Sequence, residues 1–158
     1  MIISGVEVLL DYEDEKRLSK YNYHRSKSIL NQTGRSYFVR FIRINGKEKS
    51  TLLHRDVMYC VPGDKKVVDH KNGNTLDCRK ENLRICTNQE NIRNQKLSRN
   101  NTSGYKGVGW DKTNRKWVAR IKVNMKLISL GTYKRIEDAA NAYAEASKKY
   151  HGEFGRIR

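Results

Sequence analysis

The sequence has no apolar run of membrane-spanning length, and the acidic stretch in residues 11–15 stands where a signal peptide has a small-residue cleavage site. We therefore expect an intracellular protein that is not secreted. Cysteine is scarce: Cys60, Cys78 and Cys86 are odd in number and form no C-x-x-C pair. This pattern argues against structural zinc and against a disulfide framework, so reduced thiols are expected.

Acidic residues are also few, at 17 Asp and Glu against 33 Lys and Arg, which gives a formal net charge of +16. Residues 95–158 hold 15 basic and 5 acidic residues and so carry +10, which leaves +6 for residues 1–94. Such an excess favours a nucleic-acid partner, with a salt-sensitive affinity because counterions are released. With 158 residues and 37% apolar content, the chain forms one ordinary domain or two small ones with limited cores.

Residues 67–94 predict the order strand, loop, strand, helix. The first strand ends in Asp69 and His70, and an Asn-Gly-Asn turn follows, because these residue types tolerate positive φ. A return strand is expected at 83–85. A T-x-x-E capping box at Thr87 then starts the helix.

This layout brings side chains of complementary chemistry into one unit. The carboxylate of Asp69 and the side-chain carbonyl of Asn91 are hard oxygen ligands, which suit a single Mg²⁺ or Mn²⁺ ion better than zinc. His70, on the other face of the strand, is left free to take a proton from water. Asn82 is expected to fix the loop through hydrogen bonds to the backbone. Together these groups suit hydrolysis of a phosphodiester.

The same residues resemble the HNH endonucleases that carry a ββα-metal finger, especially the phage and intron-encoded homing type. The matching motifs are Asp69-His70, Glu81-Asn82-Leu83-Arg84 and Glu90-Asn91-Ile92-Arg93-Asn94. The resemblance implies a metal-dependent enzyme that nicks or cleaves double-stranded DNA, with Asp69 and Asn91 as ligands of one ion, His70 as base and Asn82 as the loop-fixing residue. Asn91 stands where the broad family has histidine, as in the homing subgroup, which argues against a two-histidine site.

A small β-rich segment precedes this motif in a first domain at 1–96. Residues 1–12 alternate as a strand does, and a helix of one or two turns follows, with Leu18 and Tyr21 facing inward. No clear period assigns the next stretch, up to Leu30. The dense β-branched and aromatic run 36–44, the Asn45-Gly46 turn and residues 49–53 predict a hairpin.

His54 and Arg55 open a short amphipathic stretch that ends at Pro62-Gly63. A similar pair in the HNH group belongs to a packing helix, so His54 is expected to pack or orient; the alternative is that it reaches the active site. Arg55 and Arg93 are candidates for holding the scissile phosphate.

A polar linker at 97–103 leads to a second module at 104–158. Strands are predicted at 105–110, 116–123 and 127–130, and a helix with small alanines at 136–150. One sheet face then stays open, and a sheet of this width can enter the major groove of DNA. The side chains expected on this face are Lys106, Trp110, Arg120 and Lys122.

This module resembles the AP2 DNA-binding domain. The motifs that carry the likeness are Gly104-Tyr105-Lys106-Gly107-Val108, Trp117-Val118-Ala119-Arg120-Ile121, Leu130-Gly131-Thr132-Tyr133 and Ala139-Ala140-Asn141-Ala142-Tyr143. By resemblance Lys106, Arg120 and Lys122 contact DNA. Departures at Gly109, Leu127 and Ser129, where plant members often have arginine or tryptophan, put base specificity in doubt.

The fold class is therefore α+β: a β-rich segment, a ββα-metal motif, and a three-stranded antiparallel sheet on one helix. The partner is duplex DNA, with no membrane and no small-molecule cofactor, and the chain acts as a monomer or homodimer, since one HNH site breaks one strand. A phage-encoded protein of this type works in the host cytoplasm. The alternatives are a non-catalytic DNA-binding regulator and, with less support, an RNA-binding protein, for which an aromatic platform is missing.

Overall fold

The computed structural model describes residues 1–98 and 100–157, without the side chains of Ser28, Gln32 and Thr33. Arg99, within the predicted linker, and Arg158, at the end of the predicted second module, lie outside the described residues. The fold is α+β, as predicted. The chain forms two compact units, one from Met1 to Asn88 and the other from Gln89 onward.

The described elements follow one another as β1 (Ile2–Ile3), β2 (Val6–Glu7), α1 (Tyr12–Leu18), β3 (His24–Arg25), α2 (Lys27–Thr33), β4 (Phe38–Ile44), β5 (Lys47–Leu52), α3 (Leu53–Val57), β6 (Val67–His70), β7 (Leu83–Cys86), α4 (Asn88–Asn94), β8 (Val108–Asp111), β9 (Lys116–Val123), β10 (Lys126–Tyr133) and α5 (Ile136–His151), with a 3₁₀ turn at Gly152–Phe154. Within residues 1–98 and 100–157, no helix is both long and apolar enough to cross a bilayer.

The predicted hairpin of the first unit is confirmed as β4 and β5, to which β3 adds a third strand. Its turn is Asn45-Gly46, with φ of 50° and 74°, the positive values that a two-residue turn between twisted strands requires. The unassigned stretch after β3 forms α2. The Ser26 hydroxyl accepts the N–H of Ile29 at its start, and Gly34 ends it with φ of 67°.

The core of the first unit draws on residues spread along the chain, from Ile3 in β1 to Leu83 in β7. The predicted helix after residue 12 is confirmed as α1, and Leu18 is buried. The inward placement of Tyr21 was wrong: its ring is 39% exposed and lies 4.1 Å from the Arg40 guanidinium carbon. A cation–π contact at the surface therefore replaces burial in the core for this residue.

The N-terminal segment also holds the loop that follows β6. Leu9 forms an isolated parallel bridge with Asp77. The Leu9 N–H donates to the Leu76 carbonyl at 2.8 Å, and the Cys78 N–H donates to the Leu9 carbonyl at 2.9 Å. Residues far apart in sequence thus fix the loop between the two strands of the ββα motif.

In the second unit, β8, β9 and β10 form the predicted three-stranded antiparallel sheet, with β9 in the centre. Helix α5 packs on one face through a core that includes Ala119, Ile121, Ala139 and Tyr143. The small side chains allow the helix to approach the sheet closely, as the sequence predicts. Strand β10 is longer than predicted, because the register shifts between Ser129 and Gly131 and pairing continues to Tyr133.

Candidate active site and DNA-binding face

The hairpin of β6 and β7 separates the first two candidate site residues. In its antiparallel register, Asp69 lies across from Arg84 and His70 across from Leu83. Successive strand residues point to opposite faces. The carboxylate and the imidazole therefore face different sides of the hairpin, as the sequence predicts.

Arg84 holds the carboxylate of Asp69. Its Nε and Nη2 both donate to Oδ2 of Asp69, at 3.0 and 2.8 Å, and both side chains are buried. A buried charge is tolerated when it is paired. This role of Arg84 was not predicted from sequence, although a basic residue in the predicted return strand, opposite a carboxylate, is a signal of a cross-strand ion pair.

Asn82 organises the loop between the two strands. Its Oδ1 accepts the N–H of Asn72 at 3.0 Å, and its Nδ2 donates to the carbonyl of Asp77 at 2.7 Å. Its own carbonyl accepts the N–H of Lys71 at 2.8 Å. These are the backbone hydrogen bonds predicted for Asn82, and they fix the chain directly after His70.

The imidazole of His70 packs among three side chains. Its ring centroid lies 5.1 Å from that of His54 and 6.3 Å from that of Tyr37, and its Nε2 lies 3.7 Å from the Sγ of Cys78. His70 is only 4% exposed. These neighbours enclose the ring, which was not predicted from sequence, and the role of His70 as a base remains a prediction.

Enclosure also sets the protonation state of His70. Burial lowers the pKa of His70 to about 4; the carboxylates of Asp69 and Asp77 oppose this shift, and Arg35 adds to it. The neutral imidazole is the form that accepts a proton. At neutral pH the ring is thus in the state that a general base requires.

His54 lies on α3, beside His70. It is buried, and its ring centroid lies 5.5 Å from that of Tyr37. Burial, with smaller contributions from His70 and Arg55, lowers the pKa of His54 to about 3. The ring supports one side of the His70 imidazole, which agrees with the packing role favoured for His54 from sequence.

The burial of neutral His54 predicts a pH-dependent stability. Because the pKa of His54 falls from 6.5 to about 3 on folding, the unfolded chain binds the proton first. This stabilisation is complete above pH 6.5 and is lost as the pH falls toward 3, with a slope of up to about 1.4 kcal/mol per pH unit. Between pH 6.5 and 5, the free energy of unfolding of His54→Gln is expected to fall by about 1–2 kcal/mol less than that of the unsubstituted protein.

Urea unfolding followed by circular dichroism at several pH values measures this slope. His24→Gln is the control, because it also removes one histidine but at a different place in the first unit. His24 lies on the β3–β5 sheet against Phe41, with ring centroids 5.3 Å apart. An identical pH dependence in His54→Gln and the unsubstituted protein would show that His54 is not held neutral by burial.

Asn91 and Arg93 lie on α4, which begins one residue after Thr87, where the capping-box motif places the helix start. Asn91 is half-buried. Asp69 belongs to the first compact unit and Asn91 to the second. The assignment of these two residues to one metal ion therefore remains a prediction.

The chemistry of the donor set fits a hard divalent cation. A carboxylate and an amide carbonyl offer two oxygen ligands, and Mg²⁺ commonly fills its remaining positions with water and phosphate oxygens. In the part of the chain that the structure describes, no three His, Cys, Asp or Glu side chains form a group able to hold a metal ion. The predicted pair of Asp69 and Asn91 has one carboxylate and one amide, so it is not a cluster of that kind.

Arg55 is engaged within the first unit. Its guanidinium forms an ion pair with Asp64 and donates to the carbonyls of Val61, at 3.1 Å, and Lys66. These bonds hold the chain just before β6. These partners leave fewer of the five guanidinium N–H donors for a phosphate contact by Arg55.

The open face of the second unit is defined by the pairing register. Ala119 and Ile121 of β9 pack in the core under α5, so the residues that alternate with them face the other side. Arg120 and Lys122 are exposed on this open face, as predicted. The paired positions on the neighbouring strands that share this face are Gly109, Leu127 and Ser129.

Two residues predicted on the open face lie elsewhere. Trp110 pairs with Trp117, which packs against the core under α5, so Trp110 is on the helix side; the two ring centroids are 5.0 Å apart. Lys106 precedes β8, and its Nζ donates to the carbonyl of Arg93 at 2.8 Å. The sequence prediction erred for Lys106 because the strand begins only at Val108. It erred for Trp110 because no local pattern fixes the register of β8 against β9, which sets the face of this residue.

Comparisons with known proteins find matches to both of these parts of the chain. A family model described as HNH endonuclease matches residues 59–93, and one described as AP2 domain matches residues 103–153. The chain is 33% identical over 91 residues to Protein 3.8 of Escherichia phage T7, which covers 58% of this chain and 74% of that protein. No solved structure matches the chain significantly.

Proposed function

Because the chain belongs to the HNH endonuclease family and carries an AP2 domain, we propose that it is a metal-dependent endonuclease that hydrolyses phosphodiester bonds of double-stranded DNA. The observation that carries the proposal is the β6–β7 hairpin, in which the Asp69 carboxylate and the His70 imidazole occupy opposite faces of one strand. In this proposal the protein nicks or cleaves DNA in the manner of a homing enzyme.

Asp69 and Asn91 are the proposed ligands of one Mg²⁺ or Mn²⁺ ion. When bound, such an ion neutralises charge on the phosphodiester and stabilises the leaving oxygen. Arg84 fixes the orientation of the Asp69 carboxylate through two hydrogen bonds to one oxygen. Arg93, on the same helix as Asn91, is a proposed ligand of the scissile phosphate.

His70 is the proposed general base that takes a proton from the attacking water. Its neutral state at neutral pH allows this, and His54 holds one side of its ring. Asn82 contributes by fixing the loop that follows His70. Replacing Asn82 is therefore expected to act indirectly, by changing the orientation of the His70 imidazole. A small displacement of a reacting group has a large effect on rate.

DNA binding is assigned to the open face of the β8–β10 sheet. Lys116, Arg120 and Lys122 are exposed basic side chains on this face of the central strand, with spacing that suits phosphates and base edges of a groove. Gly109, Leu127 and Ser129 give this face fewer hydrogen-bond donors than arginines would. We therefore assign most of the affinity to charge, with a strong dependence on salt.

The test is strand scission of supercoiled plasmid. We expect conversion to nicked or linear DNA with Mg²⁺ or Mn²⁺, and none with EDTA, because the proposed ligands act only through the ion. Asp69→Asn, which weakens the carboxylate ligand, is expected to need more metal for the same rate. Cleavage that persists at full rate in EDTA would contradict the proposal.

A further inference from the structure

Lys106 caps the end of α4. Its ammonium donates to the carbonyl oxygen of Arg93, in the last turn of the helix, at 2.8 Å. The last carbonyls of a helix have no partner within it and carry partial negative charge, so a cation there satisfies and stabilises them. The contact therefore ties the end of α4 to the turn before β8.

This contact is partly buried. Lys106 lines a cavity of about 280 Å³, together with Ile92 and Arg93 of α4 and Tyr143 and His151 of α5. Burial, with a contribution from Arg156, lowers the pKa of Lys106 to about 8. Hydrogen bonds are stronger in such surroundings than in water. The bond to Arg93 thus holds α4 more firmly than a surface contact does.

The backbone that carries Lys106 is itself fixed. The next residue, Gly107, lies so close to Tyr143 that an added Cβ would meet its ring carbons at 2.2 Å, and the Gly107 carbonyl accepts the N–H of Arg120 at 2.8 Å. Lys106 therefore extends from a rigid point of the sheet-and-helix module. A long side chain rooted there can set the position of whatever its ammonium binds.

We propose that Lys106 is a positioning residue: it anchors α4, the helix that carries Asn91, to the module formed by β8–β10 and α5. Its place in the DNA-binding motif of the AP2-like module implies a phosphate contact, and the hydrogen bond to Arg93 assigns it a different task. The importance of this task for cleavage rests on the proposed role of Asn91 as a metal ligand. The anchoring itself does not.

Amide hydrogen exchange of full-length protein tests the anchoring without any reference to activity. In Lys106→Met, which keeps the stem and removes the charge, the amides of residues 92–95 are expected to exchange about ten-fold faster or more. Lys106→Arg, which keeps a donor, is expected to restore most of the protection. Arg120→Met is the matched control on the open face, outside the lining of this cavity, and is expected to leave these amides unchanged.

DNA binding and cleavage supply the second readout. Lys106→Met is expected to bind duplex DNA within about two-fold of the unsubstituted protein, whereas a lost phosphate contact lowers the salt dependence of affinity by about one ion, as expected for Lys122→Met. If the protein cleaves DNA, Lys106→Met is expected to need about ten-fold more Mg²⁺, because Asn91 is held less firmly.

The outcomes separate the two proposals. Faster exchange in Lys106→Met with rescue by Lys106→Arg supports the anchoring, even if the unsubstituted protein does not cleave DNA, a result that would overturn only the nuclease assignment. Unchanged exchange in Lys106→Met overturns the anchoring. So does weaker DNA binding with a reduced salt slope and no change in α4.

Discussion

Replacing His70 with alanine is expected to lower DNA cleavage by about 10²–10⁴-fold, the usual contribution of a positioned general base. DNA affinity is expected to stay the same, because Arg120 and Lys122 lie on the sheet of the other compact unit. The measurement is a plasmid-cleavage time course with Mg²⁺, beside a gel-shift titration on the same DNA.

The environment of His70 shapes the controls for this experiment. The ring is buried against His54 and Tyr37, so its removal leaves a void that also lowers stability. A thermal unfolding curve of His70→Ala shows whether the variant is folded at the assay temperature. His24→Ala removes a histidine from another part of the first unit and is expected to cleave normally. Equal cleavage by His70→Ala and the unsubstituted protein would refute the assignment of the base.

Gly107→Ala is expected to destabilise the AP2-like unit by about 3 kcal/mol or more. Gly107 has φ of +66°, and a Cβ there would lie 2.2 Å from ring carbons of Tyr143 and 2.4 Å from the carbonyl oxygen of Arg120. The tyrosine ring packs between sheet and helix and the other neighbour is backbone, so relieving the overlap requires a shift of the ring or of the strand. Loss of the fold at this point removes DNA binding as well.

Both tryptophans of the chain, Trp110 and Trp117, lie in this unit, so urea unfolding followed by tryptophan fluorescence reports on it directly. Gly109→Ala is the matched control: it lies two residues further on, and an added Cβ there meets no atom within 4 Å. It is expected to change stability by less than about 1 kcal/mol. Similar midpoints for the two variants would show that the close approach of Gly107 to Tyr143 is absent in solution.

Elements with a strong local signal were predicted well from sequence. The bounds of β9 agree at both ends, because the run 116–123 is rich in β-branched and aromatic residues and turn residues flank it. The β6–β7 hairpin and the start of α4 follow from a β-branched pair, an Asn-Gly-Asn turn and a capping box. In each of these, local conformational preference and burial favour the same structure.

Features with a weak apolar period or a distant partner were not predicted. Helix α2 has few apolar residues, so its period is weak, and its ends are set by Ser26 and Gly34 instead. The bridge from Leu9 to the loop after β6 joins residues far apart in sequence. No local pattern encodes such a contact, because it arises only when the core of the unit assembles.

In the candidate site, sequence identified residue types better than their surroundings. The opposite orientation of Asp69 and His70 follows from strand geometry and was predicted. The enclosure of His70 was not, because His54 comes from a helix and Cys78 from a loop that only the fold brings together. The site of Lys106 was missed for a similar reason, since its partner is a backbone carbonyl, which carries no sequence signal.

The most direct measurement of the central claim is strand scission in a reaction in which a gel shift shows that all of the DNA is bound. With Mg²⁺ or Mn²⁺ we predict broken strands whose ends map to defined phosphodiester positions, and intact strands with EDTA. DNA that is fully bound but intact with every divalent ion tried would contradict the account and leave a DNA-binding protein without nuclease activity.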